Sequence, residues 1–247
     1  MQGWTELYEN PTVLGAEWGY ERIYSALSYA HIRALRQAPI MVGEARTLAA
    51  AYPLCWRIVD GLPVLQALMS LLGDGKGHYP APNRPLPLAL HAYPIAVPDP
   101  ESVANQRLII DRVFPDAPSD IGAPILLENA KMSKGAIARA RLAVSVARGL
   151  QFTNALSRDL LDGGFLEPWP LKFDLGAGVS VLRDDLMVVA AARLGRPELF
   201  GLVETHGVDA GLFLATQRLS LFRISALLGL AKAAVTQAPD AATEPAL

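Results

Sequence analysis

The chain has 247 residues, 51% of them hydrophobic and 19% charged, which excludes overall disorder and is enough to bury a full-sized core in one domain or two. Its 22 basic and 24 acidic side chains leave a formal charge of -2, so the molecule as a whole has no attraction to nucleic acid or anionic lipid. A single cysteine, Cys55, excludes an internal disulfide and any cysteine-rich metal site.

Residues 1–37 crowd Trp4, Tyr8, Trp18, Tyr20, Tyr24 and Tyr29 into an irregular segment. Such rings need a surface to cover, so an N-terminal arm laid over the rest is expected, with a short helix from Glu21 to Leu35. A face for peptide or sugar is the functional alternative. The first residues carry acids where a secretion signal carries basic residues, and a cytoplasmic protein is expected.

From Ala38 a single α+β domain is expected to reach Ala234, organised about APIMVGEARTLAAAYPLCWRIV. Met41, Ala45, Leu48 and Ala49 share one side of a helix that stops at Pro53. Leu54 to Val59 then predicts a strand, with Cys55 as a buried small hydrophobe, closing at the turn pair Asp60-Gly61. Leu62 to Leu72 predicts the return strand, although its propensities also suit a helix. The glycine-rich GDGKGHYP that follows lacks the spacing of a phosphate loop and reads as a turn.

Leu86 to Val97 contains prolines that cannot donate to a central ladder, so an edge or extended strand is expected. Arg107 to Asp111 predicts a short strand ending on an acid that faces solvent or caps a turn, and Ala123 to Leu127 one more short element. Lys134 to Leu161 has the period of a long helix, with Ile137, Ala140, Val144, Ala147, Phe152, Ala155 and Leu156 as its buried stripe. Gly149 within it marks a kink or a close crossing. Leu171, Phe173 and Leu175 alternate with polar residues, Gly176 to Gly178 turn the chain, and Val179 and Val181 return it, giving a C-terminal β-hairpin. Asp184 and Asp185 read as the start of a helix from Leu186 that Gly195-Arg196-Pro197 ends. A terminal helix from Val208 to Ala234 is apolar on more than one face, as in a helix buried centrally or in a subunit interface. Gln217, Arg218 and Arg223 break its apolar run, and no membrane insertion is expected. Residues 235–247 hold no core-forming pattern and read as a disordered tail.

No metal site, nucleophile elbow or dinucleotide fingerprint is present, and no cofactor is expected: His31, His78, His91 and His206 are scattered without paired-ligand spacing. The strongest charge signal is on the long helix, where Lys134, Arg141 and Arg148 are seven apart on one face. These are candidates for an anion or acidic-partner contact, against the simpler reading of a solvated face. Glu44, Arg57, Tyr93 and Asp111 are the candidates for a small-molecule pocket between the Cys55 strand and the Asp111 strand.

Four places in the chain carry a resemblance. APIMVGEARTLAAAYPLCWRI, with Pro39, Glu44, Tyr52 and Pro53, HAYPIAV with Tyr93 and Pro94, LIID ending at Asp111, and the hairpin with the terminal Leu219-Ser220-Leu221 helix together resemble the SapC family of bacterial proteins over most of residues 38 to 230. At the family-helix positions Gln217, Ser220 and Arg223 the chain departs from the pattern, with Gln217 where a histidine is expected and Arg223 where an asparagine is usual. The resemblance implies an association with bacterial surface layers and with neighbours of outer-membrane receptor and oxygenase type, without specifying a reaction. Two functions follow: a non-catalytic accessory protein acting as a homodimer or with a protein partner, or a small-molecule enzyme or binder at the four pocket candidates. Nucleic acid, through the basic helix face, is the weakest reading.

Overall fold

The computed structural model describes residues 7–18, 21–73, 84–98, 100–105, 107–118 and 120–237. Trp4, Tyr20, most of the glycine-rich loop and the tail beyond Gln237 lie outside them. In chain order, β1 (Pro11–Val13), β2 (Arg22–Ile23), α1 (Ala30–Ala34) and β3 (Gln37–Pro39) precede a 3-10 turn and α2 (Ala45–Leu48). The hairpin β4 (Leu54–Val59) and β5 (Leu62–Leu68) follows, then α3 (Leu88–Ala92), β6 (Ile95–Ala96), α4 (Pro100–Ala104), β7 (Ile109–Asp111) and β8 (Ala123–Pro124). The long α5 (Lys134–Asp162) leads to β9 (Leu166–Pro168), β10 (Leu171–Gly176), β11 (Val179–Arg183) and β12 (Leu186–Val189), and then to α6 (Glu198–His206), α7 (Val208–Ser220) and α8 (Ile224–Gln237).

The centre is a five-stranded sheet in the order β3-β5-β4-β12-β9, and every strand pairing among the described residues is antiparallel. Asp60 and Gly61 both take positive φ, 51° and 77°, as a two-residue hairpin turn requires, and this fixes the register that sets Trp56 opposite Leu65. Both faces of the sheet are covered, which explains why β4 and β5 are apolar almost throughout. On one face Leu54, Trp56, Leu65 and Ala67 join the main core with Leu156 and Leu160 of α5 and Phe213 of α7. On the other, Cys55, Leu68, Leu186 and Val188 pack with Leu171 and Val181 of the β10-β11 ribbon and Leu227 of α8. The two-residue alternation of strand side chains sends neighbours in one strand to different cores.

The architecture is α+β, with a long central helix and a C-terminal hairpin and helix. Several local expectations change. Leu86 to Val97 is not extended throughout: Leu88–Ala92 is a helical turn, followed by a cis Tyr93-Pro94 peptide and the two-residue β6. Pro85 and Pro87 sit ahead of that helix, where a missing N–H costs nothing, and the free N–H of Leu88 is taken by Glu44. Asp184 and Asp185 do not start a helix. Leu186–Val189 is instead β12, filling the slot beside β4, with Leu186 opposite Arg57 and Met187 opposite Trp56. The helix expected from Glu21 to Leu35 is split into β2, a 3-10 turn at Ala26–Ser28 and the short α1.

The buried side of α5 also differs from the apolar stripe. Ala147 and Leu156 are buried as expected, but Ile137 and Phe152 are exposed at 37% and 38%, and Ala136, Ala143, Val146, Thr153 and Ser157 are buried instead. Small residues let the helix approach closely, and two hydroxyls meet donors across the contact: Val42 N–H donates to Thr153 Oγ1 (3.0 Å) and Trp56 Nε1–H to Ser157 Oγ (3.0 Å). Gly149 belongs to this approach, since a Cβ there would lie 2.8 Å from Met41 Sδ. Residues of the expected arm enter the interior: Tyr8 and Tyr29 are core residues, β1 pairs with β7, and Gln37 begins β3 of the central sheet.

Candidate functional site

Asp111 does not face solvent; it ends β7 fully buried. Burying a carboxylate is costly unless donors surround it. Here the backbone N–H groups of Glu9 and Asn10 donate to Oδ2 (3.1 Å) and Oδ1 (2.6 Å), and the Tyr93 hydroxyl donates to Oδ2 at 2.7 Å. Burial first, and then this bond and the carboxylate charge, push the Tyr93 phenol far above its ordinary value. Burial, with Asp111 second, raises Tyr8 likewise. Tyr8, Tyr29 and His31 ring Tyr93 with centroids 5.8, 5.0 and 5.4 Å away. His31 Nε2 lies 3.8 Å from Asp111 Oδ2 with no hydrogen bond among the described residues. The space beside Tyr29 and Asp111, about 10 Å³, is the size of one water, and the cluster ties the N-terminal segment to the β6-β7 corner.

The four pocket candidates do not converge. Tyr93 and Asp111 meet, but Glu44 bridges two backbones instead: its Oε2 accepts from Met41 N–H at 3.0 Å and its Oε1 from Leu88 N–H at 2.5 Å. Burial pushes its carboxyl above the ordinary range, opposed by those two donors. Arg57 reaches Asp185 at 3.0 Å, in a group where Arg183 donates to the same carboxylate and to Gln37 Oε1. Arg183 first, and Arg57 more weakly, hold the Asp185 carboxyl below its usual range.

Of the basic residues on α5, Arg139 is turned inward, donating to the carbonyls of Tyr93 (2.6 Å) and His91 (3.2 Å) at the end of α3. Lys134, Arg141 and Arg148 are all exposed, on one face of the helix. A dyad that the sequence spacing did not reveal joins His206 Nε2 to Asp159 Oδ2 at 2.6 Å, with the Phe152 ring edge-on to the imidazole. The two residues are 47 apart in the chain, so only the packing of α6 on α5 could bring them together. Among the described residues no three His, Cys, Asp or Glu side chains cluster as a metal set would.

The positions singled out in the terminal helix divide sharply. Gln217 is fully buried and joins two strands: its Nε2–H donates to Leu54 C=O (2.7 Å) and its Oε1 accepts from Val189 N–H (3.3 Å). Ser220 Oγ accepts from Leu54 N–H at 2.9 Å and donates to Gln217 C=O. An amide that donates and accepts at once suits this place between β4 and β12, and both residues act as pins for the sheet. Arg223 is exposed.

The outer side of the same run carries a different pattern. Val208, Leu212, Ala215, Leu219, Phe222, Ala226, Gly229 and Ala233 are all exposed, and their spacings are 4, 3, 4, 3, 4, 3 and 4. Val208, Leu219 and Phe222 are 77%, 68% and 78% exposed, and only 17% of the most apolar window of Val208–Gln237 is buried. By length and composition alone this run is apolar enough to cross a membrane. A 3-10 turn at Leu221–Arg223 joins α7 to α8, with Ser220, Leu221 and Ile224 all in right-handed helical conformation.

These features define an α+β protein whose buried polar groups hold backbone in place and whose terminal helix presents an apolar outer face. The chain belongs to the SapC family, whose model matches residues 17–199. The match begins further toward the N-terminus than the resemblance read from the sequence and stops before α7, so Gln217, Ser220 and Arg223 fall outside it. No curated protein and no solved structure matches the chain.

Proposed function

We propose that this SapC protein is a non-catalytic accessory protein of the cytoplasm that works as a homodimer, joined through the outer face of α7 and α8. The exposed apolar row at alternating spacings of 4 and 3 is the observation that carries the reading, because a 3.5-residue repeat is the period at which one helix packs against another. The free, buried Cys55 suits a reducing compartment.

The row is complementary to itself in one direction. Its first part is bulky and its last part small, so an antiparallel pair sets Leu212 against the partner's Gly229, Val208 against the partner's Ala233, and Leu219 against the partner's Phe222. Arg218 then lies beside the partner's Ser225, and Arg223 beside the partner's Thr216. A parallel pair would oppose Gly229 to the partner's Gly229 and leave a void, while Arg218 is held on its own chain, donating to Val189 C=O at 2.8 Å. The interface is isologous, as a closed dimer requires.

Light scattering over a concentration series tests this. The wild type is expected to be dimeric, and Leu219→Glu with Phe222→Glu to be monomeric with an unchanged circular dichroism spectrum. In a Cys55→Ser background, Leu212→Cys with Gly229→Cys is expected to cross-link on oxidation. A strict monomer at all concentrations, or wild-type protein that floats with lipid vesicles, would overturn the reading.

A further inference from the structure

A cavity of about 330 Å³ opens between the tip of the β4-β5 hairpin, the α3-β6 corner and α5. It is at the low end of the ~300–1,000 Å³ range of small-molecule sites. None of the four pocket candidates lines it, and neither does any residue of the apolar row on α7 and α8.

The cavity exists because small side chains meet there. Ala89, Ala92, Ala96, Ala143 and Ala147 all line it, where leucines would have closed the space. Leu62, Pro63 and Val64 form the opposite wall at the hairpin tip. Along α5 the lining follows one helical stripe that changes character: Ala143, Ala147 and Leu150 are succeeded by Asn154 and Arg158, four residues apart. The stripe from Ala143 to Arg158 is about 22 Å long at the helical rise, so the wall is elongated, apolar along most of its length and cationic at one end.

Arg158 is the only charged side chain among the described residues lining the cavity. Arg158 and Asn154 are both exposed, and neither side chain makes a hydrogen bond or ion pair among the described residues. A guanidinium next to a carboxamide matches a carboxylate, with the fork of the one and the N–H of the other converging on its oxygens.

We infer that this cavity binds a small monocarboxylate with an apolar body, the body lying between the alanines and the hairpin tip and the carboxylate at Arg158 and Asn154. A neutral or cationic ligand of the same body would leave the guanidinium unmatched, so the site discriminates by head group rather than by the shape of the chain.

Calorimetric titration with the series hexanoate to dodecanoate, and with 1-decanol and decyltrimethylammonium as comparisons, tests the inference on the full chain. Saturable one-to-one binding of a carboxylate is expected, with decyltrimethylammonium excluded. Arg158→Gln, an exposed change, is expected to weaken the carboxylate roughly tenfold or more and to leave 1-decanol unchanged. Ala147→Leu, checked for an unchanged dichroism spectrum, should weaken both by filling the space, while Phe222→Glu should alter neither. Failure of every carboxylate in the series to bind saturably would overturn the inference. So would binding that Arg158→Gln does not weaken, or that Phe222→Glu abolishes, since the last would place the ligand on the outer helix face.

Discussion

At the scale of the residue, the chemistry that sequence spacing suggested turns out to hold backbone. Asp111, Glu44, Gln217 and Ser220 each meet main-chain groups of segments remote in the chain, and each satisfies polar atoms that burial would otherwise strand. Asp111 has the most to lose. Asp111→Ala strands the buried Tyr93 hydroxyl, at about 1–3 kcal/mol, and removes the acceptor of the N–H groups of the exposed Glu9 and Asn10, at about 1 kcal/mol each, whereas Tyr93→Phe removes one bond and leaves the carboxylate its two backbone donors, at about 1–2 kcal/mol. Urea denaturation is expected to rank Asp111→Ala well below Tyr93→Phe in stability. Equal losses would mean that the phenol, and not the N-terminal backbone, is what the carboxylate serves. Asp111 was legible as a strand end but not as a buried acid, because two of its three donors come from residues about one hundred positions earlier in the chain.

At the scale of the element, packing decided what periodicity left open. The β4-β5 hairpin was legible from the strand formers of Leu54 to Val59 and the Asp60-Gly61 turn, which outweighed a helical propensity in the return arm, and the long α5 because its period runs unbroken to the glycines after Asp162. The face of α5 was legible only in part: Ala147 and Leu156 are buried as the period suggested, but Ile137 and Phe152 are not, and the small Gly149, Thr153 and Ser157 lie against Met41, Val42 and Trp56. Gly149 measures this approach. An alanine there gains about 1 kcal/mol of helix propensity but sets its Cβ against Met41 Sδ, 2.8 Å away in the present arrangement. Gly149→Leu cannot be absorbed by a shift of the thioether and is expected to cost roughly 1–3 kcal/mol by overpacking. Shortening the neighbour in Gly149→Leu/Met41→Ala should restore part of that loss in thermal unfolding. An additive double variant would show that the helix passes Met41 at a greater distance.

At the scale of the whole molecule, Cys55 lies fully buried in the sheet, with its core on the side of α8 and the β10-β11 ribbon. Burial pushes its thiol up to about 12, so native protein is expected to resist thiol reagents at neutral pH. Trp56, the next residue, faces the opposite core with α5 and α7. Labelling of Cys55 and loss of Trp56 fluorescence, read with Trp4, Trp18 and Trp169 replaced by phenylalanine, should therefore share one urea midpoint if residues 38–234 fold as one unit. Labelling at clearly lower urea would show that the α8 layer opens by itself. The sequence alone determined the central hairpin, the long helix, the second hairpin and the family resemblance, since these depend on local propensity, turn chemistry and period. Only the tertiary structure decided that Leu186–Val189 is a strand, that Asp111 is buried, that His206 meets Asp159 and that five alanines leave a cavity beside Arg158. Each of those depends on which segments, far apart in the chain, come to share one contact, and no window of neighbouring residues encodes that choice.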